Sequence, residues 1–138
     1  MNNKFSKEVK SIIQNSREHA LNQGKGYIGT EHLLLGVLSM KDGMTHKVIE
    51  SLQIDSDLLI DRVREIDNTD IAIDQRLNLD SVPLTKHAEK VLKVTILEAK
   101  SYKNDKVLPE HLMLSILKHK DITSEVLLDD FELDYETF

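Results

Sequence analysis

The sequence predicts an all-α domain: a pseudo-twofold tandem repeat of a four-helix unit, about seven or eight helices with the last expected to be truncated. Three observations carry this. The chain has only 5 Gly and 2 Pro, 4% aromatic residues and many Leu, Ile, Lys and Glu. Apolar residues recur at helical spacing. Sliding the chain against itself by 79 positions aligns residues 5–57 with 84–136 without a gap, and ten of those 53 positions are identical. Chance would give roughly three for an ordinary composition. The identities are Lys7/Lys86, Ala20/Ala99, Glu31/Glu110, His32/His111, Leu33/Leu112, Leu35/Leu114, Leu38/Leu117, Lys41/Lys120, Asp42/Asp121 and Asp55/Asp134.

In the first copy Phe5, Val9, Ile12, Ile13 and Ala20 form one helical stripe, repeated as Leu84, Ala88, Val91, Leu92 and Ala99. Ser6 and Thr85 stand where N-caps belong, each hydroxyl able to accept from an orphan backbone N–H. Gly24 and Gly26 end the first helix. Thr30 is expected to cap a second helix over 31–40, and Pro109 to open its counterpart. Asp42-Gly43 breaks the chain before a third helix over 45–52, matched by 124–131. Asp55 caps a fourth over 56–65, carrying Leu58, Leu59, Val63 and Ile66. Residues 67–83 are acidic, lack a helical period and read as a connector, mobile at its centre. Asp134 corresponds to Asp55, yet only four residues follow, so the repeat's last helix is missing from this sequence. The expected organisation is one domain over 1–138, with repeat one at 5–66, linker at 67–83 and repeat two at 84–136.

Composition excludes several functions. With 138 residues the chain is one domain that can bury about two thirds of its unfolded surface, so it folds without staples. It has no cysteine, which removes disulfides, thiol catalysis and thiolate zinc sites. The balance of 24 acids against 18 Lys and Arg gives net charge -6 and disfavours nucleic acid as a partner. No apolar run approaches a membrane span, and the N-terminus has no signal-peptide core, so no membrane association and a cytoplasmic location are expected.

The conspicuous repeated unit is acid-His-Leu at the second helix of each copy: Gly29-Thr30-Glu31-His32-Leu33 and Leu108-Pro109-Glu110-His111-Leu112. One reading makes Glu31 and Glu110 first-turn acids complementing the helix dipole, and His32 and His111 core-edge residues bonded to nearby backbone. A second makes each string a ligand site, the carboxylate taking a guanidinium and the helix-start N–H groups an anion. Spacing does not choose between them. Metal is not expected: adjacent Glu-His residues face different directions, no His-Glu-x-x-His occurs, and His19, His46, His87 and His119 lack histidine partners in the repeat. The equivalence of His19 with Glu98 adds little. A hydrolase using Glu31 and Glu110 as paired carboxylates has no supporting catalytic groups. No Gly-x-x-x-x-Gly-Lys-Ser/Thr string cradles ATP, and neither catalytic residues nor a cofactor are expected.

The run from Phe5-Ser6 through Tyr27-Ile28-Gly29-Thr30-Glu31-His32-Leu33-Leu34-Leu35-Gly36-Val37-Leu38, repeated at offset 79, resembles the Clp N-terminal repeat domain. This double module begins Clp-type AAA+ unfoldases, and the ClpC branch is the best match. The resemblance implies a non-catalytic helical domain that docks adaptor proteins and protein substrates for quality control and proteolysis. It implies further that ClpC-type domains recognise phosphoarginine. Carried over, Glu31 and Glu110 are the guanidinium carboxylates, and Ser6 and Thr85 the hydroxyl neighbours of the phosphate. Hexamer formation and ATPase activity would reside in modules beyond Phe138. The alternative is a free-standing repeat protein regulating the same partners. Pro109 removes an N–H and a hydroxyl, so the second site is expected to be the weaker and Glu31 the more important carboxylate.

Overall fold

The computed structural model describes residues 5–40, 43–66, 73–79, 82–136 and 138. Helices α1 (Lys7–Asn22), α2 (Thr30–Leu38), α3 (Met44–Ser51) and α4 (Ser56–Arg64) form the first half of the fold. Strands β1 (Ile73–Leu79) and β2 (Val82–Thr85) lead into α5 (Lys86–Ser101), α6 (Pro109–Lys118) and α7 (Ile122–Phe131). The architecture is helical, as the repeat and the apolar stripes predict, with a single two-stranded hairpin among the described residues.

Local structure repeats at the same offset as the sequence. Ser6 Oγ accepts from Val9 N–H at 3.2 Å and Thr85 Oγ1 from Ala88 N–H at 3.1 Å, so both expected N-caps are made. Ser16 Oγ donates to Ile12 O, and Thr95 Oγ1 to Val91 O, one turn back in each helix. The chain leaves α1 and α5 through left-handed residues, Gly24 at φ 71° and Lys103 at φ 59°. It leaves α3 and α7 through Gln53 at φ 61° and Glu132 at φ 55°.

The two halves exchange backbone bonds crosswise. Ser6 N–H donates to Val107 O at 2.9 Å, and Thr85 N–H to Ile28 O at 3.0 Å. Since 6 pairs with 85 and 28 with 107 in the repeat, these bonds are images of each other. The bridges Phe5–Val107 and Ile28–Leu84 follow the same rule. A pseudo-twofold axis therefore runs between the repeats.

Helix α2 is buried along its whole length, as expected of a helix apolar on most sides. It packs on α1 and α4 and meets α6 from the other half. Leu33, Leu34, Leu112 and Ile116 are at most 1% exposed, each contributing about 1.5–3 kcal/mol by leaving water. At Gly36 the backbone of α2 closes on α1, and a Cβ would lie 2.7 Å from both Ile12 O and Ser16 Oγ. Its counterpart Ser115 instead donates to Val91 O at 2.7 Å.

Four details depart from expectation. Gly29, not Thr30, is the N-cap of α2, and Thr30 is its first helical residue. Helix α7 starts at Ile122, because Asp121 Oδ1 accepts from Thr123 and Ser124 N–H and captures the turn earlier. Leu58 is 58% exposed, while Leu59, Val63 and Ile66 carry the buried face beyond the Asp55 cap. Within the connector, Ile73–Leu79 pairs antiparallel with Val82–Thr85, Leu79 opposite Val82. The period-two placing of Ile71, Ile73, Leu77 and Leu79 is the signal for that strand. Residues 67–72 and 80–81 of the connector, expected to be mobile at its centre, lie outside the described residues.

Candidate functional site

The two acid-His-Leu strings open α2 and α6, where backbone N–H groups lack helical acceptors. The histidines answer that need. His32 Nδ1 accepts from Gly29 N–H, and His111 Nδ1 from Leu108 N–H, both at 2.9 Å. With Nδ1 accepting, the proton sits on Nε2, which faces Gln23 Oε1 at 3.0 Å in the first copy. In the second, Asn104 Nδ2 lies 3.0 Å from His111 Nε2, and rotating the amide presents its oxygen to that proton. Burial pushes the His32 pKa down to about 4, with His19 and Lys25 adding to the shift. Burial also lowers that of His111, against the pull of Glu110 and Glu98. Both histidines are thus neutral structural caps at physiological pH, matching the reading of them as core-edge residues bonded to backbone.

The glutamates are less alike than their sequence strings. Glu31 is 2% exposed, and its carboxylate folds back over Gly29, where a Cβ would fall on Oε1. Leu108 occupies the equivalent position in the second string and has that Cβ, so the carboxylate of Glu110 cannot take the same place. Glu110 is half-buried and lines an open cleft of about 590 Å³ with Met44, Val48, Tyr102, His111 and Tyr135. The Tyr102 ring stacks on His111 with centroids 6.1 Å apart.

Thr30 also behaves unlike a ligand hydroxyl. Its Oγ1 donates to Asp121 Oδ2 at 2.6 Å and lies 2.8 Å from Thr123 Oγ1, spanning the two halves. The hydroxyl missing at Pro109 is therefore one that repeat one spends on structure. With Glu31 buried, Glu110 is the more accessible of the two carboxylates.

Ser6 and Thr85 are 7% and 1% exposed, and both hydroxyls are engaged as caps. The crosswise bonds place Thr85 against the segment that leads to Glu31, and Ser6 against the segment that leads to Glu110. Each cap thus lies beside the glutamate string of the other repeat, a neighbourhood that no linear spacing reveals.

His19 and Glu98 do not converge. His19 Nε2 lies 3.2 Å from Ser39 Oγ, and Glu98 Oε1 accepts from Lys118 Nζ at 3.4 Å, the same positional pair in two chemistries. A different group does converge: His87 from the first turn of α5, His119 at the end of α6 and Asp121 at the start of α7. One ligand atom from each lies within 4.8 Å of the others. No linear spacing signals it, since its members come from three separate helix ends. Among the described residues, no helix is long and apolar enough to cross a membrane.

Comparison with known proteins agrees with the fold. A family model described as the Clp repeat (R) N-terminal domain matches residues 4–131. The ATP-dependent Clp protease ATP-binding subunit ClpC of Staphylococcus aureus (strain USA300) is 27% identical over 118 residues. That match covers 86% of this chain and 14% of the relative, so the chain spans a small fraction of the curated relatives' length. Among solved structures, the N-terminal domain of ClpD from Arabidopsis thaliana superposes with TM-score 0.74 at 17% identity, covering 97% of this chain and 88% of that one. The Hsp104 N-terminal domain from Candida albicans gives TM-score 0.74 at 16% identity, covering 96% and 85%.

Proposed function

The chain belongs to the Clp repeat N-terminal domain family, and from that premise we propose that it is a non-catalytic docking domain recognising phosphoarginine on proteins delivered to a ClpC-like unfoldase. Adaptor proteins and protein substrates are its partners in this reading, and Glu31, Glu110, Ser6 and Thr85 its ligand residues. The observation that carries it is the crosswise pairing of Ser6 with Val107 and of Thr85 with Ile28. That pairing sets a helix start of one repeat beside the glutamate string of the other. A helix start offers N–H groups to a phosphate, and a carboxylate matches a guanidinium with two parallel bonds, so one modified side chain can engage both.

The Glu110 cleft is the open member of the pair, and the exposed ring of Tyr102 adds a face on which a guanidinium can stack. Glu31 engages once its carboxylate swings away from Gly29. Titration calorimetry with free phosphoarginine tests the reading. Glu110→Ala should weaken binding by roughly 10- to 100-fold, the worth of one charge-assisted contact, and Glu31→Ala by less. Absence of binding to the unaltered chain would sink the proposal.

A further inference from the structure

We propose that His87, His119 and Asp121 form a site for a divalent transition ion of the zinc class, confined to the second repeat. His87 Nδ1 and His119 Nε2 face each other at 2.7 Å, with ring centroids 4.9 Å apart in an edge-on arrangement. The Asp121 carboxylate completes a set of three ligand atoms within 4.8 Å. Two imidazoles and one carboxylate are the donor set of an open zinc site, with the remaining position left to water. The nitrogen donors favour zinc, nickel, copper or cobalt over calcium and magnesium, which prefer oxygen.

The ligands are mounted on ordered structure. His87 sits in the first turn of α5, His119 is the C-cap of α6 and Asp121 the N-cap of α7. The carboxylate is held by outer contacts of the kind that orient metal ligands. Its Oδ1 accepts from Thr123 and Ser124 N–H, and its Oδ2 from the Thr30 hydroxyl. A carboxylate oxygen carries two lone pairs, so Oδ2 keeps one for a metal. All three side chains are half-buried, which leaves an approach from solvent. Lys90 is close enough to act on the His119 ring, and it is the cation that a bound metal must tolerate.

Without metal, the two rings share one hydrogen bond. Nitrogens about 2.0–2.1 Å from a tetrahedral ion stand about 3.3 Å apart, so the rings must part by about 0.6 Å. Side-chain rotation alone achieves that. The equivalent positions of repeat one are Glu8, Met40 and Asp42, which lack both imidazoles. A metal here would clamp three helix ends, and through Thr30 it would also brace the first turn of α2.

The test is titration of the whole chain with zinc chloride, paired with the visible spectrum of the cobalt(II) form. One equivalent should bind, with the strong d–d absorption of a tetrahedral or five-coordinate site. His87→Gln and His119→Gln should each weaken binding at least about 10-fold, whereas His46→Gln on α3 should leave it unchanged. Asp121→Asn keeps an oxygen to cap α7 and should weaken binding similarly, so it decides the matter if a histidine variant misfolds. At free zinc about one hundred times the dissociation constant, the melting temperature should rise by roughly 5–10 °C. No zinc uptake by the unaltered chain, or uptake undiminished in folded His87→Gln and Asp121→Asn, would overturn the proposal.

Discussion

Thr30 and Asp121 stand 91 positions apart in the chain, yet Thr30 Oγ1 donates to Asp121 Oδ2 at 2.6 Å. The bond ties the first turn of α2 to the N-cap of α7 and so joins the two repeats. Its pseudo-symmetric image cannot form, because the counterpart of Thr30 is Pro109, which has no hydroxyl. Replacing Thr30 by the isosteric Val removes the donor and leaves a part-buried carboxylate oxygen short of one partner. A loss of about 2 kcal/mol is expected, read as a lower urea midpoint with unchanged slope. An unchanged midpoint would mean that the bond contributes nothing net.

The close approach of α2 to α1 at Gly36 predicts a second cost. Gly36→Ala puts a methyl against Ile12 O and Ser16 Oγ, forcing the helices apart for about 1–3 kcal/mol. Ser115→Ala at the equivalent place removes only a hydroxyl bonded to Val91 O, and about 1 kcal/mol is expected. Thermal unfolding of the two variants side by side checks the ranking.

Lys103 holds the left-handed turn that Gly24 makes in repeat one, at a steric cost that glycine avoids. Lys103→Gly should stabilise the chain by about 0.5–1 kcal/mol, and Gly24→Ala should destabilise it by a similar amount. A Lys103→Gly variant that melts below the parent would contradict this account of the turn.

Stability should fall with acidification. The buried His32 has a pKa of about 4, whereas the unfolded imidazole titrates near 6.5. Between those values the unfolded chain binds a proton that the folded chain refuses. The His32 contribution is therefore complete above pH 6.5 and is lost as pH falls toward 4, by on the order of 3 kcal/mol. The lowered pKa of His111 acts in the same direction. His32→Gln keeps a capping-box residue and should flatten the profile of urea midpoint against pH. An equally steep profile in that variant would rule His32 out as the source.

Much of this was legible in the sequence because the duplication repeats local rules. Ser6 and Thr85 cap, Pro109 opens α6, and the Val9–Ile12–Ile13 stripe is buried, each following from neighbours within a few residues. Tertiary choices were not legible. Thr30 has the chemistry of an N-cap, but Gly29 takes that place and the hydroxyl serves Asp121 instead. The strand at 73–79 was obscured by its Asp and Asn content, which outweighed its alternation. Glu31 and Glu110 are identical in sequence yet differ in burial, because one Cβ at Leu108 denies the position that Gly29 leaves open. His87 and His119 meet only through the packing of α5 on α6.

In the proposed docking function each ligand site is shared between repeats, a cap from one working with a glutamate from the other. Backbone amide shifts on adding phosphoarginine, with arginine plus inorganic phosphate as the control, test this sharing. Amides 6–9 should move together with 110–112, and amides 85–88 with 30–33, more weakly for the buried Glu31 site. Shifts confined to a cap and glutamate of the same repeat, or none beyond the control, would contradict it.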